Sequence, residues 1–181
     1  MHFVSKVKKR LPWSLPGWEI QYQMAPLGRS EMLNQVVNYT PAAVLAFIYP
    51  KGTKEHMVFI KRTAHDKDKH SSQIAFPGGR VEDQDTSIID TALREANEEI
   101  GLDITSVKVI GEMTPLKIPV SGYEVFPILA YSENEPKFKR QVSEVEEVIE
   151  IPLETLTNDS IREKREIKLA NGMVINDVPT F

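Results

Sequence analysis

The amino-acid sequence predicts an α/β domain, and three observations carry that expectation. AAVLAFIYP (42–50) and MVFIKR (57–62) have the length and composition of strands and flank the turn-forming KGTKEH, so 42–62 reads as a hairpin. One well-delimited amphipathic helix spans 87–100. Two further strand-like runs follow it, SVKVIGEMTPL (106–116) and YEVFPILAYS (123–132).

The remaining elements fall into order around these. HFVSKVKKR (2–10) reads as a short helix with a basic exposed face, which could also meet an anionic surface. Pro12 and Pro16 then break the pattern, and a polar stretch, GRSEMLNQVVNYTP (28–41), follows. Residues 1–40 are therefore expected to form a peripheral segment packing on a domain at 41–181. A polar loop covers 63–73, and a short extended piece and Gly-rich loop cover 74–87. Ser87 with Asp90 has capping-box spacing, Ile89, Leu93, Ala96 and Ile100 form the apolar stripe, and Gly101 supplies the stop. IPVSGY (118–123) joins the next two strands. Residues 141–158 combine an acidic run, an apolar stretch and a short helix, and 165–177 reads as a hairpin turning at Asn171-Gly172.

Composition bounds the function. The chain has 181 residues, 41% hydrophobic and 27% charged, enough for one domain with a sizeable core. A net charge of −4 argues against a broad nucleic-acid-binding surface. The absence of cysteine excludes disulfides, thiolate metal sites and cysteine catalysis. No apolar run reaches the length of a membrane span, and the N-terminus lacks the apolar core of a secretory signal.

The helix carries an arrangement that local stability disfavours. Glu95, Glu98 and Glu99 stand at i, i+3 and i+4 and share one face. Like charges at that spacing destabilise a helix by roughly 0.2–0.5 kcal/mol per pair, and acids in a last turn face the negative end of the helix dipole. A solvated acidic face is the bland explanation. A bound divalent cation would reverse both penalties, because carboxylate oxygens are preferred ligands of hard ions. Upstream lies FPGGRVED (76–83), whose paired glycines let a backbone approach a ligand closely.

Glycine loop and acidic helix together resemble the signature of the Nudix hydrolases, G-x5-E-x7-R-E-U-x-E-E-x-G-U with U a bulky aliphatic. This chain matches it at Gly79, Arg94, Glu95, Glu98, Glu99, Gly101 and Leu102. It departs in having Asp85 for the first Glu, eight residues rather than seven between that acid and Arg94, and the small Ala96. KHSSQIAFPGGRVED (69–83) is similar to the segment that coenzyme A pyrophosphatases carry ahead of this motif, with Ser72 in place of the usual Gly. Similarity continues through VSGYEVFPILAY and SEVEEVIEIPL, over roughly residues 40–155.

The resemblance implies an α/β/α sandwich with a mixed sheet. It implies metal-dependent hydrolysis of the pyrophosphate of coenzyme A or its thioesters, giving 3',5'-ADP and 4'-phosphopantetheine or its acyl form. Other nucleoside diphosphate derivatives, such as ADP-ribose or a dinucleotide, are the alternative substrates, and a non-catalytic ligand-binding module is the alternative class. Mg2+ or Mn2+ would be held by Glu95, Glu98, Glu99 and the Gly78 carbonyl. Glu95 or Glu98 would act as base, Arg94 would brace the loop against an acid of the same unit, and Glu144 would add a further acid ahead of Glu146 and Glu147. Arg62, Lys69, His70, Gln73, Gly79 and Arg80 are the candidates for substrate contact. A cytoplasmic location and homodimerisation accord with the resemblance. Related chains continue past a segment like NDVPTF into another strand and a final helix, so the C-terminal element is expected to be truncated or different here.

Overall fold

The computed structural model describes residues 2–11, 15–23, 25, 38–63, 73–161, 163–168, 172 and 174–180. Its centre is β1 (Thr40–Lys51), whose apolar run is buried on both faces: Leu45, Phe47, Ile48 and Tyr49 are wholly inaccessible. β1 turns at Gly52 into β2 (Lys54–Arg62) as an antiparallel hairpin, pairing Ile48 with Met57. Past that pairing the two strands diverge, and the Gly-rich segment fills the opening. β3 (Ile74–Ala75) pairs with the end of β2, and β4 (Gly78–Arg80) pairs with the start of β1.

α3 (Ile88–Ile100) follows, preceded in the chain by α1 (His2–Arg10) and α2 (Trp18–Tyr22). The Ser87 side chain accepts from the Asp90 amide, and the helix ends at Gly101, whose φ of 62° suits glycine. β5 (Lys108–Glu112) and β6 (Leu116–Ile118) both pair antiparallel with β7 (Tyr123–Tyr131), and β7 runs parallel to β1. β8 (Val145–Pro152) closes the sheet on the other side of β2 and leads into α4 (Leu153–Leu156). The eight strands make one mixed sheet, and β9 (Glu163–Lys168) with β10 (Val174–Thr180) forms a separate antiparallel pair.

Two cores lie on opposite faces of this sheet. On one, Ala92, Ala96 and Ile100 of α3 pack with Ala43, Leu45, Phe47, Val58, Ile60, Ile128 and Ala130. On the other, Val4 of α1 and Leu153 of α4 pack with Ala46, Ile48, Leu129 and Tyr131. The result is the expected α/β/α layering, its second face covered by the N-terminal helix.

One expectation is corrected. The strand expected over 106–116 is divided. Residues 104–106 form a 3-10 turn, a register shift falls between Val109 and Gly111, and pairing resumes only at Leu116, after Pro115. Between Pro16 and the polar stretch, residues 18–22 form a short helix, α2, anchored by Gln21 Nε2 on the Thr114 carbonyl at 2.6 Å, while residues 28–37 of the polar stretch lie outside the described residues. Of the three glutamates of α3, Glu99 is 1% exposed and belongs to the packed face. No helix among the described residues is long and apolar enough to cross a membrane.

Candidate active site

Pairing of β4 with β1 places the two glycines directly beneath α3. A Cβ at Gly78 would fall 2.3 Å from the Ala43 carbonyl oxygen and 2.6 Å from the Val44 Cα, so the strand pairing itself requires glycine there. A Cβ at Gly79 would fall 2.3 Å from Glu95 Oε1. The second glycine therefore leaves room for a carboxylate rather than for backbone.

Glu99 reaches the same loop from one turn further along. Its Oε2 accepts the Gly78 amide at 2.9 Å, and its Oε1 stands 3.5 Å from Arg62 Nη1. Burial pushes its pKa up to about 7, and the Glu95 charge adds to the rise, against the Gly78 amide and the Arg62 guanidinium. Glu95 is also raised, by burial first, with Glu98 and Glu144 contributing and Arg94 opposing.

Arg94 is the hub of the loop–helix unit. Nε and Nη2 grip the Asp85 carboxylate at 2.8 and 3.0 Å, Nη2 also donates to the Arg80 carbonyl at 3.1 Å, and Nη1 reaches Glu95 Oε1 and Glu98 Oε2, both at 3.0 Å. Asp85 further accepts from the Glu82 amide and the Thr91 hydroxyl, each at 2.9 Å. The Arg94 hydrogen bonds hold the Asp85 carboxyl well below the usual carboxylate range. Thr91 was absent from the sequence-based site. Its signal was a polar residue three positions before Arg94, hence on the same helical face.

The segment joining β7 to β8 forms a strap that completes the arrangement. The Lys139 and Gln141 amides donate to the Ile100 and Glu99 carbonyls, both at 2.8 Å, occupying acceptors that a helix C-terminus leaves open. The following turn bonds Glu144 N to Gln141 O at 3.0 Å, and the Glu144 carbonyl accepts from Thr63 N at 2.9 Å. Glu144 thus hangs between the end of α3 and the end of β2, within electrostatic reach of Glu95 and Glu99.

The structure brings together Gly78, Gly79, Arg94, Glu95, Glu98, Glu99, Arg62 and Glu144. Gln73 is exposed beside them, its carbonyl accepting from Arg62 N at 3.0 Å. Arg80 is exposed and contributes its carbonyl to Arg94. Lys69 and His70 lie outside the described residues. Glu146 is engaged by Lys61 in an exposed ion pair across β2 and β8, away from the glutamate cluster.

The donor set is all oxygen, which suits a hard divalent cation. Among the described residues, no three His, Asp or Glu side chains already converge as metal ligands. Arg94 draws Glu95 and Glu98 toward itself, while Glu99 is buried with only partial compensation. A cation entering beside Glu99 would offset that burial cost, so the residues present fit a divalent ion.

Residues 39–170 match the family model described as NUDIX domain. A protein of Escherichia fergusonii named uncharacterized Nudix hydrolase NudL is 38% identical over 125 residues, a match spanning 69% of this chain and 64% of that protein. Among solved structures, a Nudix hydrolase from M. smegmatis, RenU, superposes with a TM-score of 0.54 at 16% identity, covering 66% of this chain and 74% of the other. The NUDIX domain of Shewanella oneidensis NrtR, solved with ADP ribose, gives 0.52 at 13% identity, covering 76% and 85%.

Proposed function

Since this chain belongs to the Nudix family, we propose that it hydrolyses a nucleoside diphosphate derivative, and specifically the pyrophosphate bond of coenzyme A or an acyl-coenzyme A. The observation supporting the chemistry is the stack of Glu99 on the Gly78 amide and Glu95 over Gly79, which gathers carboxylates where a backbone loop stays open. The coenzyme A reading is supported by the similarity of KHSSQIAFPGGRVED (69–83) to the segment ahead of the motif in coenzyme A pyrophosphatases.

In this reading Glu95, Glu98 and Glu99, with the Gly78 carbonyl, hold Mg2+ or Mn2+. The ion, when bound, supplies charge neutralisation of the pyrophosphate and a more acidic water. The chain's residues do the rest by positioning, the main requirement of phosphoryl transfer. Arg94, fixed by Asp85, braces the loop so that Gly79 presents its backbone to a phosphate. Glu95 or Glu98 takes the proton from the attacking water, with Glu144 as the further acid from the strap. Arg62, half-buried behind Glu99, and Arg80 offer cations to the anionic substrate, and Gln73 stands exposed at the same edge.

Product identification by mass spectrometry tests this. Coenzyme A, acetyl-coenzyme A, ADP-ribose and a diadenosine polyphosphate are offered in parallel with Mg2+ or Mn2+. Release of 3',5'-ADP from the coenzyme A substrates, abolished by Glu98→Gln, is the expected result. Cleavage of ADP-ribose alone would refute the coenzyme A reading and keep the metal-site reading. No cleavage of any of them would favour a ligand-binding module.

A further inference from the structure

One outer edge of the sheet carries a surface of a different character from the candidate active site. β5 and β6 pair only with β7 and so form an outer edge of the sheet. The N-terminal segment runs along it. The Leu11 side chain sits over Gly111, where a Cβ would fall 2.5 Å from Leu11 Cδ2. Further on, α2 is tied to the Thr114 carbonyl by Gln21 and to the Lys117 carbonyl by Tyr22.

This edge gathers exposed apolar side chains. Trp18 is 55% exposed and Ile20 is 51% exposed, with Leu15 just before them in the chain. Val109 and Met113 are exposed on and beside β5, and Val120 is 54% exposed in the turn after β6. A groove of about 390 Å3, lined by Lys8, Leu11, Val109 and Ile110, opens between α1 and β5.

Charge accompanies the apolar surface. α1 carries four cations and no acid, in a chain whose net charge is −4. Lys8 is spent internally: its Nζ donates to the Tyr131 hydroxyl at 2.7 Å and lies 4.3 Å from that ring's centroid. Lys6, Lys9 and Arg10 are exposed, and among the described residues none has an ion-pair partner. The buried side of α1 is Phe3, Val4 and Val7, so these three cations point outward.

We propose that this face docks on an anionic lipid bilayer, with Lys6, Lys9 and Arg10 at the headgroups and Trp18, Ile20 and Leu15 in the interfacial layer. Cations beside an exposed tryptophan and aliphatic side chains are what such an interface recognises, since it offers negative charge and an apolar layer together. A second copy of the chain fits less well, because a two-fold contact through this patch would bring the three α1 cations of both copies into one interface. The surface is independent of the proposed hydrolysis.

The experiment is co-sedimentation of the full chain with phosphatidylcholine vesicles, with and without admixed phosphatidylglycerol. Partitioning onto the phosphatidylglycerol vesicles, falling with added salt, is expected. So is a blue shift of Trp18 emission, read in a Trp13→Phe background. A Lys6→Gln, Lys9→Gln, Arg10→Gln variant should bind at least tenfold more weakly, given roughly fivefold per cation. The Lys6→Arg, Lys9→Arg variant should bind like the parent. Trp18→Ala should weaken binding with the cations intact. Circular dichroism melts confirm that each variant is folded. No preference for anionic vesicles, or undiminished binding by the triple variant, would overturn the proposal. Self-association lost in Trp18→Ala, with no vesicle binding by the parent, would overturn it in favour of an interface between copies.

Discussion

Asp85 and Arg94 meet through two parallel hydrogen bonds, Nε to Oδ1 at 2.8 Å and Nη2 to Oδ2 at 3.0 Å. The Asp85 side chain is almost wholly buried, and its second oxygen also accepts from Glu82 N and Thr91 Oγ1. The shorter acid, set one residue further from Arg94 than the family signature has it, still closes the loop onto the helix.

Removing one partner of such a buried pair leaves the other charge unpaired. Asp85→Asn is therefore expected to lower stability by about 3 kcal/mol, the low end for broken buried pairs, because Arg94 keeps Glu95 and Glu98. Urea denaturation measures it, and a loss below ~0.5 kcal/mol would show that the pair does not hold the loop. The pH sign follows from the depressed folded-state value. The contribution is present above the ordinary aspartate value of 3.8 and is lost as pH falls below it, so the variant should lose part of the parent's acid sensitivity there.

The paired glycines should respond differently to the same substitution. Gly78→Ala places its methyl against the backbone of Ala43 and Val44, so it should lower the melting temperature markedly. Gly79→Ala first meets the flexible end of Glu95, so the fold should survive while the carboxylate is displaced. Affinity for Mn2+, followed by electron paramagnetic resonance, should fall about 10–100-fold in Gly79→Ala. Equal thermal damage from the two variants would contradict this division.

The contrast between the glycines marks what a sequence can carry. PGG announced a loop with close backbone approach, and the helix from its Ser87 cap to Gly101 was legible because capping and periodicity are local. The division of 106–116 was not, because it depends on how Gly111 and Pro115 meet β7. Nor was the burial of Glu99. Its sequence position says only that it shares a face with Glu95, whereas its depth depends on β4 lying beneath α3. The short α2 was hidden because its anchors, the Thr114 and Lys117 carbonyls, lie over ninety residues away.

Glu99 predicts an unusual pH response for the metal-free protein. Its pKa is raised from the ordinary 4.5 to about 7, so the folded state binds more protons than the unfolded state between these values. The stability it contributes is full below the lower value and is lost as pH rises through the upper one, by up to about 3 kcal/mol. Thermal melts in the presence of a chelator should therefore decline across this window, and Glu99→Gln should remove most of the decline. Divalent ion added near neutral pH should release protons, measurable as a buffer-dependent heat. A parent melting temperature that rises across the window, matched by the variant, would contradict the assignment.

Glu144 offers the sharpest test of the strap. It touches the cluster through its charge, raising both Glu95 and Glu99, while its backbone is held by Gln141 and Thr63. Glu144→Gln removes the charge and leaves both backbone bonds intact, so stability should change by less than ~0.5 kcal/mol, as for an exposed substitution. The carboxyl carbon of Glu99, followed by carbon-13 NMR, should titrate at lower pH than in the parent, because a neighbouring negative charge has gone. If Glu144 is also the further acid of the reaction, kcat should fall about 100-fold with little change in KM, within the range for a general acid or base. A lowered Glu99 titration with unchanged kcat would make Glu144 an electrostatic neighbour only. An unmoved titration would mean the strap does not bring its charge to the cluster in solution.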